Sequence, residues 1–589
     1  MSVEAARRYI LGRVLDTLLR EDVQQLVSLG AKQETLPAGA PVAESDGPWW
    51  RACLAAGELW LPVRPAAFMQ RWRSREGPVL ARSRDGDDWH CLDDSGALIG
   101  WLGQELEPDE RELYRAFAAE CEDAERQHRA CRQAQQEYFE CCREAPPALN
   151  RWEQRFLHYD RLAAYLDHPY YPTARAKNGF GVEDLARYAP EFGPRFRLRW
   201  LAVPQSLLRG TEAGAPEWWP QFEQVGLDPA LAADHALLPV HPFLWGDPLD
   251  AMLHDAGLEE QVVAAPDSCV EVMPTLSVRS LLLVQHPETH IKLPLTIRTL
   301  GSRNIRTVKP STIGDGNRVQ RLLGAIAEQE PLLRGRLLLT DERRGAHVDG
   351  HSFLGYILRR YPQAVERGTL VSVAGLLAET PSGGYLFEEL GQRFYRGDVL
   401  ALLEDYLTLT FEVHVTLWLR YGIALESNQQ NSMLLFDEAG GGLRLLLKDN
   451  DAPRIDREQL ERRWPLLYRC VEELEDARIW SRERLALGQM FGTITLQLNV
   501  APLIEGLAAR GYGERRELYG RVVRVLERSL AALDGEDGRE LRELLLEAEL
   551  LDAKYLLTAG TLQSKARSGA ADINKHYGRS APNFLREAL

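Results

Sequence analysis

The sequence predicts an α+β fold in three successive parts, with mixed sheets in the second and third parts and a helical C-terminal end. Two patterns favour this class: short apolar runs separated by Gly and Pro occupy the middle of the chain, and helical periodicity dominates both ends. The 589 residues are 45% apolar and 26% charged, which is ordinary globular usage and excludes disordered, collagen-like and disulfide-framework proteins. A chain of this length is large enough for several packed units.

The first part, residues 1–147, begins and ends with predicted helices. An amphipathic pattern falls within Met1–Leu29, and a charged helical pattern runs over 108–143 until the proline pair at 146–147 stops it. Between these two helices lies a stretch rich in tryptophan and turn residues.

The second and third parts differ in their periodicity. The second part, residues 148–391, carries β-type runs at 280–285 and 290–295. The third part, residues 392–589, contains a hairpin and long helical patterns, which run over 398–421 and 514–556.

The charge balance excludes some classes of partner. Seventy basic and eighty-six acidic residues give a net charge of −16, which repels a nucleic-acid backbone, so we expect no nucleic-acid partner. No stretch of about eighteen residues is apolar and uncharged, and Met1–Leu29 lacks the apolar block of a secretory signal. We therefore expect no membrane span and a cytoplasmic location. The eight cysteines form no CxxC pair and predict reduced thiols rather than a zinc or iron–sulfur site.

The charge is locally inverted in the second part. No acidic residue falls between Glu288 and Asp315, a gap that contains five cations, Lys292, Arg298, Arg303, Arg306 and Lys309. Strand alternation over 290–298 sends Lys292 and Arg298 to one face and apolar residues to the other. A second short strand over 274–280 is predicted to present donors suited to phosphate or carboxylate oxygens, namely Thr275, Ser277 and Arg279.

Two interpretations of this basic segment are open. It is either a solvated strand paired with acidic neighbours elsewhere or part of a site for a polyanionic ligand. Five cations within this short gap repel one another, so a counterion must lie among them. The lack of intervening acidic residues favours the polyanionic ligand.

The second informative segment is the predicted hairpin of the third part, whose turn is rich in glycine. Pairing Phe436 with Leu443 places Asn431 opposite Lys448 and brings Asp449 to the same open end. Amide and carboxylate groups offer the oxygens that Mg²⁺ prefers and the contacts that a nucleotide needs, and Asp449 is the best metal candidate. The alternative is that both ends of the hairpin are ordinary polar turns.

Together, the two segments have the parts of a phosphoryl- or nucleotidyl-transfer site. Lys and Arg would hold phosphates, and the hairpin would hold Mg²⁺. Neither a GxxxxGK[ST] P-loop nor a dinucleotide fingerprint occurs, and the glycine triplet lies in the hairpin turn. We therefore expect an ATP enzyme whose nucleotide site is of another type.

Six motifs, in this order along the chain, resemble those of the NRPS-independent siderophore (NIS) synthetases of the aerobactin-synthetase type. They are HPYYPTARAKNGF from His168, LPVHP from Leu238, PTLSVR from Pro274, KLPL from Lys292 followed by 302–307, NQQNS from Asn428, and Lys448-Asp449. The resemblance implies a thumb, fingers and palm architecture. The thumb corresponds to 1–147, the fingers to 148–391 and the palm to 392–589, with ATP between fingers and palm.

The resemblance also implies a reaction. One carboxylate of citrate or a related polycarboxylic acid is adenylated by ATP, and an amine or hydroxyl then captures the acyl group, giving an amide or ester, AMP and pyrophosphate. The implied cofactors are ATP and Mg²⁺, and the implied assembly is a homodimer. Citrate and ATP are both strongly anionic, so a basic segment meets the need to cancel their repulsion.

Individual roles follow by position from the same resemblance. The implied catalytic residues are His168, Lys292 and Arg306. The implied ATP contacts are Ser277, Arg279, Lys292, Ser302, Arg303, Arg306, Gln430 and Asn431. The substrate carboxylates are assigned to His168, Arg306, Asn428 and Lys565, and the metal to Glu426, Asn431 and Asp449.

Two positions depart from the family pattern. Asn428 and Tyr171 stand where many members have histidine, and we expect both to contact the acid or the acceptor. Because this chain lacks those two histidines, His168 or solvent is left as the general base. His241 is expected to be a packed structural histidine. The lysines near the C-terminus, Lys554 among them, are expected to be solvated.

Two other functions are open at this point. Glu426, Asn431 and Asp449 follow one another in an order that also resembles the catalytic loop and metal aspartate of a kinase-like phosphotransferase, although no His-Arg-Asp motif accompanies them. A ferric-siderophore or citrate-binding protein without enzymatic activity is the third possibility. A kinase releases ADP instead of AMP, and a binding protein needs neither ATP nor Mg²⁺.

Overall fold

The structure, a computed structural model, describes residues 1–42, 47–84, 88–211, 215–481, 483–533, 536–564 and 577–588. Strands within these ranges form five sheets, and helices surround them, which confirms the predicted α+β class. None of the helices described there combines the length and apolarity needed to span a membrane.

The N-terminal part packs three helices against an antiparallel sheet of order β1–β2–β3–β5–β6, with β4 paired to β3. The helices are α1 (Val3–Arg20), α2 (Ser95–Leu102) and α3 (Pro108–Glu144). The strands are β1 (Gly30–Gln33), β2 (Trp49–Leu54), β3 (Gly57–Pro65), β4 (Trp72–Ser74), β5 (Val79–Ser83) and β6 (Trp89–Leu92). The tryptophan-rich stretch is therefore mainly a sheet: Trp50 packs with the helices, whereas Trp49 and Trp60 form a separate cluster. Ser2 caps α1 by accepting a hydrogen bond from the Ala5 N–H at 3.1 Å.

The middle part is built around a nine-stranded sheet of order β10–β7–β11–β12–β13–β16–β15–β8, with β9 paired to β7. Its helices are α4 (Trp152–Ala164), α5 (Val182–Tyr188), α6 (Asp247–Asp255) and α7 (Pro310–Gln329). Its strands are β7 (Phe196–Pro204), β8 (Leu208–Gly210), β9 (His235–Val240), β10 (Val263–Ala264), β11 (Cys269–Pro274), β12 (Ser280–Leu283), β13 (His286–Lys292), β15 (Asp341–Val348) and β16 (Gly355–Arg360). The predicted strands near 280 and 290 are thus β12 and β13, which pair with Ser280 opposite Lys292.

The strand predicted over 274–280 is wrong, because β11 ends at Pro274 and a turn follows. The Thr275 hydroxyl donates to the Ser280 carbonyl at 2.7 Å, and the Ser277 hydroxyl accepts from the Ser280 N–H at 3.1 Å. Val278 has a φ of 66°, in the left-handed region. Short hydroxyl side chains that bond the nearby backbone favour a turn over a sheet ladder, which explains the difference.

The predicted hairpin is confirmed as β19 (Ser432–Asp437) and β20 (Leu443–Leu447), with Phe436 opposite Leu443. Its register continues beyond the strands, since the Lys448 N–H donates to the Asn431 carbonyl at 3.2 Å. The hairpin joins β14 (Leu337–Leu339) and β17 (Gly368–Ser372) in a sheet of order β14–β20–β19–β17. This sheet therefore combines strands from both sides of the boundary predicted near Gly391. An isolated hairpin is only marginally stable, so this one pairs with neighbouring strands from the preceding part.

The C-terminal part is mainly helical. Its helices are α8 (Leu386–Tyr395), α9 (Val399–Tyr421), α10 (Arg457–Arg463), α11 (Pro465–Tyr468), α12 (Arg484–Met490), α13 (Ala501–Ala509), α14 (Arg515–Ala531) and α15 (Glu536–Arg542). A π-helical segment, Phe491–Val500, joins α12 to α13. The remaining strands are β18 (Ile423–Ala424), β21 (Arg454–Asp456), β22 (Trp480–Ser481), β23 (Leu550–Lys554) and β24 (Tyr577–Pro582).

The helical prediction over 514–556 is wrong at its end, where β23 pairs with β24. Pairing with a strand distant in sequence overrides the local helical pattern there. Lys554, the last residue of β23, is only 8% exposed, so the expectation that it is solvated is also wrong.

Candidate active site

A cavity of about 1050 Å³ lies where the three parts of the chain meet. The residues that line it include fifteen Lys and Arg and nine Asp and Glu, an excess of positive charge in a protein whose net charge is −16. The predicted site residues that line it are His168, Ser277, Arg279, Lys292, Arg306, Glu426, Asn428, Gln430, Asn431 and Asp449. Tertiary folding therefore brings the basic segment and the open end of the hairpin to one cavity.

A direct ion pair joins these two segments. Lys292 Nζ, at the end of β13, lies 2.6 Å from Asp449 Oδ1, just beyond β20. Arg359 Nη2, on β16, lies at the same 2.6 Å from that oxygen. Burial by itself raises the pKa of the Asp449 carboxyl, but the positive charges of Arg359, Lys292 and Lys448 outweigh it and hold the pKa well below its usual range. Asp449 is thus ionised and fixed between two cations.

Arg359 and Glu342 were not predicted as site residues. Arg359 is 1% exposed, and its Nε donates to Glu342 Oε1 at 2.8 Å. The same Glu342 oxygen accepts the Asp449 N–H at 3.0 Å, which holds a backbone with a φ of 55°. Arg359 reaches the site because β16 pairs with β13, placing Arg359 opposite His290. A single sequence carries no local signal for that pairing.

A polar turn presents the amides of the NQQNS motif to the cavity. Asn428 Oδ1 accepts the N–H groups of Gln430 and Asn431 at 3.0 and 3.1 Å, and Asn431 Nδ2 donates to the Glu426 carbonyl at 3.0 Å. Asn428 is therefore occupied in shaping the turn, which is the arrangement expected of an asparagine at this position of a turn.

Arg279 and Arg306 add positive charge beside the ion pair. Burial and then the charge of Arg306 lower the pKa of Arg279 to about 9. Burial also lowers the pKa of Arg306, although Asp449 and Glu426 oppose the shift. The Arg306 backbone bonds Leu295 and Ile297, whereas its side chain makes no hydrogen bond or ion pair with any residue that the structure describes. Burial disfavours both charges, so a bound anion would stabilise them.

His168 is neutral in this environment. Its Nδ1 accepts the N–H groups of Tyr170 and Tyr171 at 3.2 and 3.1 Å. Burial, followed by the charges of Arg13 and Lys554, lowers the pKa of His168 to about 3. With Nδ1 as acceptor, the ring proton lies on Nε2. His168 is thus suited to donate a hydrogen bond to a substrate and does not fit the general-base role considered from sequence.

Several predicted residues lie away from the cavity lining. Arg303 donates from Nη1 to the Ala559 carbonyl at 3.2 Å and from Nη2 to the Gln563 carbonyl, and neither it nor Ser302 lines the cavity. Tyr171 is fully buried and donates to Glu120 Oε1 at 3.0 Å, so its predicted contact with acid or acceptor is wrong. Lys565 falls outside the residues that the structure describes.

The oxygen donors at the hairpin fit Mg²⁺ as part of a substrate-completed site. Glu426, Asn431, Asp449 and Asp451 line the same cavity. Among the residues described, no group of three or more His, Cys, Asp or Glu side chains is arranged to hold a metal alone. Mg²⁺ is usually held by one or two carboxylates together with phosphate oxygens and water, which suits this set. Both cations contact Oδ1 of Asp449, and the Asp449 carboxylate would be one of the Mg²⁺ ligands if the metal bound here.

Buried neutral histidines predict how the stability of the protein depends on pH. Burial lowers the pKa of five of them from about 6.5 to between about 3 and about 4: His128, His158, His168, His241 and His414. The unfolded chain therefore binds more protons below about pH 6.5, and the free energy of unfolding falls as pH drops from there towards 4. Urea denaturation at pH 8, 6, 5 and 4 measures this slope.

A matched pair of variants tests the cause of that slope. His241 is fully buried against Tyr188 and Phe196, which confirms the predicted structural role, and its Nδ1 accepts the Phe243 N–H at 3.1 Å. His241→Asn retains an acceptor and should flatten the slope. His254→Gln, at a side chain that is 73% exposed, should leave it unchanged. Equal slopes in the two variants would contradict the assignment.

Family models match two long segments of the chain. Residues 155–378 match the IucA / IucC family. Residues 400–568 match a family described as ferric iron reductase FhuF-like transporter. That second segment contains a single cysteine, Cys470, so it does not hold the several thiolates of a cysteine-ligated iron–sulfur cluster.

Several relatives match between a quarter and about two thirds of the chain. An uncharacterised protein y4xN of Sinorhizobium fredii is 31% identical over 49% of this chain and 50% of its own length. Staphyloferrin B synthase of Staphylococcus aureus is 23% identical over 70% of this chain and 74% of its own. L-2,3-Diaminopropanoate–citrate ligase of the same species is 30% identical over 25% of this chain and 26% of its own. The first of these matches thus spans half the length of the relative.

Solved structures share the fold over almost the whole chain. The petrobactin biosynthesis protein AsbB of Bacillus anthracis has a TM-score of 0.74 at 18% identity, covering 100% of this chain and 96% of that one. ATP-bound aerobactin synthetase IucA of Klebsiella pneumoniae has a TM-score of 0.67 at 18% identity, covering 99% of both. The fold and the motifs that meet at the cavity agree with the family match: the chain resembles the IucA / IucC family over residues 155–378 and shares the fold of a solved aerobactin synthetase over almost its whole length.

Proposed function

We propose that this protein is an ATP-dependent ligase of siderophore synthesis. It adenylates one carboxylate of citrate or a related polycarboxylic acid and transfers the acyl group to an amine or hydroxyl, releasing AMP and pyrophosphate. The observation that carries the proposal is the Lys292–Asp449 ion pair of 2.6 Å, which unites a basic segment with a set of oxygen donors in one cavity.

The charges at the cavity suit the first half-reaction. Two anionic substrates must approach each other before a carboxylate oxygen can attack the α-phosphorus, and their repulsion opposes this. Lys292, Arg279 and Arg306 supply positive charge to a cavity whose lining has fifteen basic and nine acidic residues. These side chains would bind the phosphates and one substrate carboxylate, and would stabilise the charge that develops at phosphorus.

The hairpin supplies the remaining contacts. Glu426, Asn431 and Asp449 would hold Mg²⁺, which would neutralise phosphate charge when bound. Gln430, beside them, would line the nucleotide pocket. His168 would orient a substrate carboxylate through its Nε2–H, so the incoming amine would lose its proton to solvent or to the leaving phosphate.

The relatives support a ligase over the two alternatives. Their names describe synthases and a ligase that joins citrate to an amino acid, and none describes a kinase or a binding protein. A kinase-like phosphotransferase has the same kinds of phosphate and metal ligands, so it remains the second candidate. A cytoplasmic location and a homodimer stay predictions.

Product analysis separates these functions. We expect citrate-dependent exchange of labelled pyrophosphate into ATP, and formation of AMP rather than ADP when hydroxylamine captures the acyl group. Mg²⁺ removal by EDTA should abolish both signals, and added Mg²⁺ should restore them. Release of ADP would establish the kinase instead, and citrate binding that is indifferent to ATP and Mg²⁺ would establish the binding protein. A panel of other polycarboxylic acids, assayed in parallel, identifies the acid.

A further inference from the structure

The cavity extends beyond the phosphate-side residues to a second group of cations, which we call the thumb-side cluster. Its members come from α1, from the β3–β4 pair, from the start of α14 and from the end of β23, and all line the cavity. They are Arg13, Arg20, Arg64, Arg73, Arg515 and Lys554. None of them belongs to the basic segment that the sequence singled out.

Most of these cations are fixed by the protein. Arg13 donates to the carbonyls of His168, Tyr171 and Pro172 at 2.7, 2.7 and 2.9 Å. Arg73 bonds Asp16 at 3.0 Å, and Arg515 bonds Glu505 at 2.8 Å. Arg20 donates to the Tyr170 carbonyl at 2.9 Å. Backbone carbonyls orient a guanidinium without neutralising it, so the cluster keeps a surplus of positive charge.

Arg64 is the member best placed to meet a ligand. It lies directly opposite Arg73 in the β3–β4 register, so both side chains project from the same face of the sheet. Like charges opposite each other destabilise an antiparallel pair. Arg64 is exposed, and its side chain makes no hydrogen bond or ion pair with any residue in the described part of the chain. An anionic ligand group would relieve the repulsion between the two arginines.

The cluster adjoins the predicted reacting centre. Arg13 Nη2 bonds the His168 carbonyl, and the charges of Arg13, Lys554 and Arg20 act on the His168 ring after burial in lowering its pKa to about 3. His168 lines the same cavity as Lys292 and Asp449. A molecule seated on the cluster would therefore reach the position where an activated acyl group is captured.

These observations favour one class of acceptor. A plain diamine carries two positive charges at neutral pH and is repelled by the cluster. An amine that also carries a carboxylate places that group against Arg64 and Arg73 and leaves its amine free to react. We propose that the thumb-side cluster is the acceptor subsite and that the acceptor is a carboxylate-bearing amine of the amino-acid type. This inference rests on the proposed function.

Matched acceptors test the inference. L-Lysine and cadaverine differ only by a carboxylate, as do ornithine and putrescine, and 2,3-diaminopropanoate and ethylenediamine. Lysinamide controls for the bulk at the α-carbon without the charge. With citrate, ATP and Mg²⁺, amide formation measured by mass spectrometry should favour the carboxylated member of each pair that reacts by about 10- to 100-fold in kcat/KM, since a charged hydrogen bond of this kind is worth about 1.5–3 kcal/mol.

Two substitutions test whether the preference for carboxylated acceptors depends on the thumb-side cluster. Arg64→Gln should reduce the ratio of lysine to cadaverine, or of whichever pair reacts, by about tenfold. Arg71→Gln is the control, because Arg71 is exposed between β3 and β4 and lies outside the cavity lining, and it should leave the ratio unchanged. Citrate-dependent pyrophosphate exchange needs no acceptor and is measured on every variant.

The outcomes separate this inference from the proposed function. Absence of exchange with every acid refutes the function itself, and the inference with it. Exchange without preference for carboxylated amines, or with no carboxylated amine captured, overturns the acceptor subsite alone. A raised KM for citrate in Arg64→Gln with an unchanged acceptor ratio assigns the cluster to the acid and overturns the inference too.

Discussion

Asp449→Asn should lower acid-dependent ATP–pyrophosphate exchange by about 1000-fold or more, a loss on the scale of removing a preorganised electrostatic group. Asp449 Oδ1 lies 2.6 Å from both Lys292 Nζ and Arg359 Nη2, and Asp449 is one of the residues proposed to hold Mg²⁺. The substitution removes the charge that positions Lys292 towards the cavity. It would also remove a proposed ligand of Mg²⁺, so two contributions to binding and activation should be lost together.

The same substitution should lower the free energy of unfolding by about 3 kcal/mol, because it leaves Lys292 buried without its carboxylate partner and removes one of the two carboxylates that pair with Arg359. The Lys292 and Arg359 side chains are 8% and 1% exposed, so neither can regain water easily. Circular dichroism and urea denaturation measure this loss and show whether the variant is folded under assay conditions.

Glu342→Gln is the matched control for that loss. Glu342 pairs with Arg359 at 2.8 Å and accepts the Asp449 N–H, so its substitution also disturbs a buried charge but leaves the Asp449 carboxylate in place. Exchange should fall much less in Glu342→Gln than in Asp449→Asn at similar stability. Equal exchange in Asp449→Asn and the wild type would refute the assignment of Asp449 to the site.

Arg306→Ala should lower exchange by about 100- to 1000-fold with little change in stability. Arg306 lines the cavity, and its side chain makes no hydrogen bond or ion pair with the residues that the structure describes, so folding depends little on that side chain. Burial lowers its pKa, which means that its charge is already unfavourable in the free protein. We expect the positive charge of Arg306 to contribute when ATP and the acid are bound, because phosphate and carboxylate oxygens would then surround it.

Arg303→Ala provides the contrast, since the family resemblance assigns both arginines to ATP. Arg303 bonds the carbonyls of Ala559 and Gln563 and does not line the cavity. We expect exchange within about threefold of the wild type and a stability loss of about 1–3 kcal/mol from the lost charged hydrogen bonds. Loss of exchange in Arg303→Ala together with normal exchange in Arg306→Ala would place the nucleotide elsewhere.

The sequence alone determined the elements whose signals are local. The helix that begins after Asp398 and the hairpin register that pairs Phe436 with Leu443 follow from periodicity, capping and turn chemistry within a few residues. The apolar face of the basic segment was predicted for the same reason, and Leu293, Leu295 and Ile297 are fully buried. The basic segment between Glu288 and Asp315, also evident from the sequence, contains residues that line the cavity, among them Lys292 and Arg306.

How these elements meet depends on the folding of the whole chain. Lys292 and Asp449 are 157 residues apart, and Arg359 joins them through the pairing of β16 with β13. Burial of Lys554 follows from the pairing of β23 with β24, and the thumb-side cluster requires the N-terminal part to close over the same cavity. Such contacts depend on the free energy of packing the whole chain, and no local propensity encodes which distant residues become neighbours.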